Sequence, residues 1–332
     1  MGPAGTVARV PDVSVVIPAR DAAATLPRTL EALARQTLPR ERFEIVVADD
    51  GSRDGTGELA RAADRVVAVG SGGGRGARDT AVEAGSGEAV ATQGRDGPGA
   101  ARNAGAAVAS APVLAFTDAD CFPEPRWLEE GLAALADADL VQGVVRPERD
   151  PGPFDRTVWV SSPGPLFETA NLLVRREVFE ALGGFPPGLT PGGGKEMGED
   201  VLFGWSARRA GARIAFAERA VVRHAVFPRG PRAFIAERRR LTAFPALVAA
   251  VPELRSELCW RRGFLSARTA AFDAAVAGLV ARRPIAALPY ASMVARDVRR
   301  VGPRASAARV AADAVGAAAL VIGSVRHRTP LL

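Results

Sequence analysis

Along the first half of this chain, apolar residues fall in short runs that polar residues close. Val13-Ser14-Val15-Val16-Ile17-Pro18 is a β-rich run, and its proline predicts a strand end because it has no N–H for a central ladder. Leu26, Leu30 and Leu33 then recur at i, i+4 and i+7, which predicts one face of an amphipathic helix. Phe43–Ala48 and Val66–Val69 read as further strands. Residues 99–110 read as a helix of small residues, and Val113–Phe116 as a buried strand. Strand, helix, strand, loop, helix, strand is the pattern of a doubly wound α/β domain.

Two of these runs end in acids. Asp49-Asp50 closes one of them, and Asp118 and Asp120 follow Phe116 at i, i+2 spacing. Ligands of open α/β sheets bind at the carboxyl ends of strands, so both acidic ends are expected on one edge of one sheet. Carboxylate oxygens are hard ligands suited to Mg²⁺ or Mn²⁺, ions that usually share their shell with substrate phosphates. Either stretch alone reads equally well as a solvated turn. Their convergence is what solvated turns do not supply.

Six segments in order then resemble the family 2 nucleotide-sugar glycosyltransferases: Val13–Arg20 (VSVVIPAR), Ile45–Thr56 (IVVADDGSRDGT), Gly97–Gly105 (GPGAARNAG), Val113–Asp120 (VLAFTDAD), Glu168–Phe185 (ETANLLVRREVFEALGGF) and Gly198–Gly211 (GEDVLFGWSARRAG). The resemblance implies a GT-A (Rossmann-like) α/β fold, a mixed sheet flanked by helices. It also implies an inverting, hexosyltransferase-like activity. By position it implies that Asp50 hydrogen-bonds the nucleotide base, with Pro18 and Arg20 lining the same pocket. Arg102 and Asn103 would lie beside the nucleotide and diphosphate. Asp118 would touch the ribose and, with Asp120, form the metal motif. Asp200 would be the catalytic base, and His224 would approach the metal or diphosphate.

Elementary chemistry agrees. Diphosphate leaves poorly until its developing charge is neutralised, which a divalent ion does as a Lewis acid. An acceptor hydroxyl attacks well only if a carboxylate takes its proton. Asp200 falls in the first turn of an expected helix, where the helix dipole favours the ionised form. Glu199 and Asp200 also read as ordinary helix N-terminal acids. For His224 the residues alone leave a structural role and a metal ligand both open.

Several stretches depart from the pattern or imitate others. The glycine-rich segment from Gly70 to Gly97 is longer than the family's usual crossing and is expected to be a surface loop. Val66–Val69 with Gly72, Gly74 and Ala77 imitates a dinucleotide fingerprint, but it follows the third strand rather than the first. Leu189–Glu196 imitates a phosphate loop, yet Glu196 follows Lys195 where Ser or Thr is needed; Gly188–Gly194 reads instead as a lip over the acceptor site. Met1-Gly2 with Thr6 matches a myristoylation pattern by chance, and Met1–Val10 lacks the apolar core of a secretory signal.

Charge divides the 332 residues unequally. From Arg223 onward there are 19 arginines against 6 acids, a net of +13, while the first 222 residues carry a net of −7. Arginine supplies nearly all the basic charge, Lys195 being the only lysine, which suggests a GC-rich bacterial coding genome. Cys121 and Cys259 have no partner spacing for a metal cluster or a disulfide framework, which fits a cytoplasmic protein. The expected organisation is a catalytic domain over 1–228, with donor binding at about 11–121 and acceptor binding at about 122–228. A helical, arginine-rich extension follows over 229–332.

Three apolar runs in that extension, Ala274–Ala281, Pro284–Ala295 and Ala314–Val325, are each too short to span a bilayer. Flanked by arginines, they read as interfacial helices on an anionic inner membrane face, or as a helical cap with solvated charges. No nucleic-acid recognition motif accompanies the charge. The expected partners are a nucleoside diphosphate sugar, UDP- favoured over GDP-, and a glycan or lipid-linked acceptor. A sugar-nucleotide pyrophosphorylase would need an N-terminal glycine-rich loop with a basic residue, which Val13–Arg20 lacks. An inactive donor-binding protein would have lost one of Asp118, Asp120 and Asp200, and all three are present.

Overall fold

The computed structural model describes residues 10–69, 97–190 and 196–332. Eight strands form one sheet: β1 (Val13–Ala19), β2 (Phe43–Asp49), β3 (Arg65–Ala68), β4 (Val113–Phe116), β5 (Cys121–Pro123), β6 (Leu140–Pro147), β7 (Leu172–Arg175) and β8 (Ile214–His224). Their order is β3-β2-β1-β4-β7-β6-β8-β5. β3, β2, β1 and β4 run parallel, the doubly wound half that the apolar runs predict. β7 is antiparallel to β4 and β6, and β5 to β8, so the sheet is mixed. β2 and β4 flank β1, which opens the carboxyl ends of all three on one edge.

The strand end expected at Pro18 needs correcting. β1 runs on to Ala19 and pairs Pro18 with Ala48. Successive residues of a parallel strand turn their backbone groups to opposite neighbours. Val16 accepts from the Thr117 N–H on the β4 side and Ala19 from the Asp50 N–H on the β2 side, so Pro18 faces β4. β4 pairs with β1 no further than Val16, and the missing N–H of Pro18 loses no ladder bond.

Helices α1 (Leu26–Ala34), α2 (Thr56–Ala60), α3 (Pro98–Val108), α4 (Trp127–Leu135), α5 (Arg176–Ala181) and α6 (Glu199–Arg209) belong with this sheet. Val13, Val15 and Ile17 pack with Leu26 and Leu33 of α1 and with Trp127 of α4 in the larger core. Val46 and Ala48 face Ala101 and Ala104 of α3 in a smaller one. α3 lies so near β1 that a Cβ on Gly105 would sit 2.6 Å from Val16, so only glycine fits there. Phe116, Phe179, Phe185 and Phe203 join β4, α5 and α6 through ring contacts of 4.8–5.5 Å.

The chain forms two compact units. The first comprises the described residues of Met1–Glu148, Val158–Pro187 and Glu199–Ala225. The second gathers those of Arg149–Thr157 and Gly188–Gly198 with Val226–Leu332. It holds helices α7 (Pro231–Glu237), α8 (Phe244–Ala250), α9 (Leu254–Glu257), α10 (Ala267–Val280), α11 (Leu288–Val301) and α12 (Pro303–His327).

α12 corrects the expectation that every C-terminal apolar stretch is too short to span a bilayer. Its 25 residues are, by length and composition, sufficient to cross a membrane. Arg309 and Asp313 interrupt the run in sequence but not in the helix, because Arg309 pairs with Asp297 at 2.9 Å and Asp313 with Arg268 at 2.7 Å. Met1-Gly2 and Thr6, the glycine-rich segment from Gly70 with its imitation fingerprint, residues 191–194 of the expected lip, and Lys195 lie outside the described residues.

Candidate active site

The base-binding acid of the sequence reading, Asp50, sits just past β2 and is buried. Arg20, just past β1, reaches it at 3.1 Å. The loops after β1 and β2 are tied together by short polar side chains. Ser52 Oγ accepts from the Asp21 N–H (3.0 Å), Asp21 Oδ1 from the Arg53 N–H (2.9 Å), Thr56 Oγ1 from the Ala22 N–H (2.8 Å) and Asp54 from the Ala23 N–H (3.0 Å). The Asp49 carboxylate in turn accepts from Ser52. The run DDGSRDGT is therefore a built loop rather than a solvated turn.

Beyond β4, the Thr117 hydroxyl donates to the Ala170 carbonyl at 2.9 Å and fixes the start of the acidic stretch. Asp120 is then brought against the end of β8, where its carbonyl accepts from the Ala225 N–H at 2.9 Å. His224 stands opposite Cys121 in the β5–β8 ladder, with Nε2 3.6 Å from Asp120 Oδ1. His224 Nδ1 lies 2.7 Å from the Ala225 carbonyl, to which it can only donate, and Nε2 is turned toward Asp120. One ligand atom each from Asp120, Cys121 and His224 lies within 4.8 Å of the others. Burial and the charges of Asp118 and Asp120 push the Cys121 thiol well above its usual range, so it stays a thiol. A carboxylate and an imidazole remain, a donor set that can take Mn²⁺ or Mg²⁺.

Arg102 of α3 joins this stretch to α6. Its guanidinium donates to Asp118 Oδ1 at 2.8 Å and to Glu199 Oε1 at 2.9 Å while almost wholly buried. Burial works against its charge, and Asp118 and Glu199 more than offset it. Asp200, half-buried next to Glu199, departs from the sequence expectation of an ionised acid. Burial first, and then the Glu199 carboxylate, push its carboxyl up to about 8, which outweighs Arg102, the Val201 N–H and the helix terminus.

Asn103, next along α3, is held by a distant loop. Its Nδ2 donates to the Phe185 carbonyl at 2.8 Å and its Oδ1 accepts from the Phe185 N–H at 2.9 Å. Those two bonds tie its amide to the backbone before α6.

Asp118, Arg102, Glu199 and Asp200 thus form one connected set, and Asp120 with His224 lies two residues further along the chain. Asp50, Arg20 and Pro18 stand at the ends of the neighbouring strands. Sequence reasoning missed Glu199 as the second partner of Arg102, and it missed Glu168. Glu168 accepts from Gln142 at 2.6 Å and is held above its usual range by burial. Just before it, buried Phe167 takes φ 53° and packs where a Cβ on Gly204 of α6 would otherwise stand. A bulky residue at positive φ beside a half-buried acid was the signal in the structure, and no sequence pattern announces it.

A model of glycosyl transferase family 2 matches residues 14–97 and 90–185. Glycosyltransferase AglE of Haloferax volcanii is 32% identical over 233 residues, which cover 67% of this chain and 69% of that protein. Validoxylamine A glucosyltransferase of Streptomyces hygroscopicus is 39% identical over 132 residues, 40% of this chain and 27% of that protein. Among solved structures, mannosyltransferase PcManGT from Pyrobaculum calidifontis, in complex with GDP-Man and Mn²⁺, superposes with a TM-score of 0.60. The match has 20% identity and covers 96% of this chain and 88% of that one, a likeness of fold.

Proposed function

The chain belongs to glycosyl transferase family 2 and carries the GT-A fold, and from that premise we propose how it transfers sugar. The donor is a nucleoside diphosphate sugar, UDP- favoured over GDP-, the acceptor group is a hydroxyl, and the anomeric centre inverts. One observation carries this reading. A single sheet edge gathers Asp50, the Asp120–His224 pair and the Arg102-linked acids Asp118, Glu199 and Asp200.

Asp50 accepts from the imino N–H of uracil or guanine, with Arg20 and Pro18 beside it. Asp118, steadied by Arg102, faces the ribose and, with Asp120 and His224, would hold Mg²⁺ or Mn²⁺. The ion, when bound, neutralises charge on the departing diphosphate. Asp200 takes the acceptor proton as the hydroxyl attacks. A carboxyl near 8 is a stronger base than an ordinary aspartate once its proton is off, and it sits close to the working pH. Arg102 and Glu199 are positioning residues that keep Asp118 and Asp200 in one frame. Donor binding falls within about 11–121 and acceptor binding within about 122–228, and the acceptor is a membrane-linked glycan or lipid served by the region 229–332.

Thermal shift with UDP, GDP, dTDP and CDP, with and without Mn²⁺, tests donor class, since binding to the native state raises the melting temperature. UDP with Mn²⁺ is expected to give the largest rise. No response to any of the four at millimolar nucleotide sinks the reading.

A further inference from the structure

We propose that the outward face of α12, together with the α10–α11 turn, is a lipid-contact surface that dips into the headgroup boundary of an anionic bilayer. This rests on the membrane-linked acceptor above and adds the residues that make the contact. α12 inverts the usual pattern of a surface helix, which keeps apolar residues inside and charge outside. Its exposed positions run from Ala307 through Ala311, Ala314 and Ala318 to Val321 and Val325, and none of the exposed residues in that stretch is charged. The two charged side chains within that stretch turn to neighbouring helices instead: Arg309 pairs with Asp297 of α11, and Asp313 with Arg268 of α10. The opposite face packs closely, since a Cβ on Gly323 would meet the Thr242 carbonyl at 2.4 Å. With 33% of its apolar stretch buried inside the protein, α12 keeps one face packed and leaves the other free to meet lipid.

The turn from α10 to α11 repeats the arrangement. Leu279, Val280, Ile285 and Leu288 are 62–82% exposed in water. Each apolar patch adjoins arginines: Arg282 and Arg283 at the turn, Arg326 and Arg328 at the end of α12. These four exposed arginines have no acidic partner among the described residues. Apolar side chains sunk at the acyl boundary with arginines at headgroup level are the signature of an interfacial helix. The charge also decides the occupant. A second copy would bring the same arginine-rich face against this one, whereas anionic headgroups neutralise it.

The test is flotation of the full chain with phosphatidylcholine vesicles, with and without phosphatidylglycerol. Val321→Glu/Val325→Glu and Val280→Glu/Ile285→Glu change only exposed positions, and circular dichroism melting checks that both variants fold as the parent does. The parent is expected to float with phosphatidylglycerol vesicles, and each double variant to lose about tenfold or more of that binding. Adding salt should weaken the parent's binding without abolishing it, because the apolar part is not screened. A parent that ignores both vesicle types, or folded variants that float as well as the parent, overturns the proposal. So does a parent dimer that the glutamates split, which would make the face a contact between copies. The nucleotide thermal shift is read on the same preparations, so loss of lipid binding with donor response intact removes only the membrane surface.

Discussion

The two units handle charge in opposite ways. In the first, buried charged groups gather at strand ends: Arg102 is almost wholly buried between Asp118 and Glu199, and Asp200 lies within their field. In the second, Arg268 bridges Asp297 and Asp313 from a partly exposed position, and large apolar side chains face outward. The same ion pair therefore means different things in the two places. At the strand ends it biases the proton affinity of the neighbouring acids; between the C-terminal helices it lets polar groups turn inward.

The sharpest way to break this contrast is Asp200→Asn. Turnover should fall by about two to four orders of magnitude while the nucleotide thermal shift stays near that of the parent. The same substitution should stabilise the fold. The folded carboxyl near 8 lies above its value in the unfolded chain, so native stability is complete below about pH 4 and is lost as pH rises toward 8. The variant and parent should melt together near pH 4, with the variant increasingly ahead by pH 8. A variant that turns over normally removes Asp200 from the mechanism.

Arg102→Ala should come next. It leaves Asp118 and Glu199 without their buried partner, and about 3–5 kcal/mol of stability should be lost in urea titration. Arg268→Ala, its counterpart in the second unit, should cost only about 1 kcal/mol, because water already reaches that pair. Equal losses would erase the distinction between the units. Between these two in size lies the pH dependence of kcat/KM. It should climb about tenfold per pH unit below 8 and level off above, as the proton leaves Asp200. A profile flat from pH 6 to 8 would assign the base elsewhere.

What the sequence made legible was local. Asp50, Asp118 and Asp120 follow apolar runs directly, so their place at one sheet edge was readable from spacing and strand direction. What stayed hidden depends on distant partners. Asn103 gives no hint in sequence of Phe185, 82 residues on, which takes both ends of its amide. Glu199 looks like a helix-start acid until Arg102, 97 residues earlier, is seen to hold it. Pro18 reads as a strand end because only the pairing shows that β4 has already stopped beside it. The apolar run Ala314–Val325 reads as short because a linear reading has no means of pairing Arg309 and Asp313, just before it, with α11 and α10.

The interleaving of the units in sequence has a consequence for how the protein is made. Synthesis from the amino end completes the first unit when Ala225 emerges, and by then Arg149–Thr157 has already been translated. That segment finds its own partners only later. Arg156 bridges to Phe227 as an isolated strand pair, Arg149 donates to the Val226 carbonyl at 3.1 Å, and the Phe154 carbonyl accepts from Arg229 at 3.0 Å. During translation it is thus a waiting thread, tethered at both ends to a finished unit and pairing with the next residues to leave the ribosome. Ribosomes stalled once Ala225 has cleared the exit tunnel should carry a chain whose sheet resists protease while cleavage concentrates between 149 and 157.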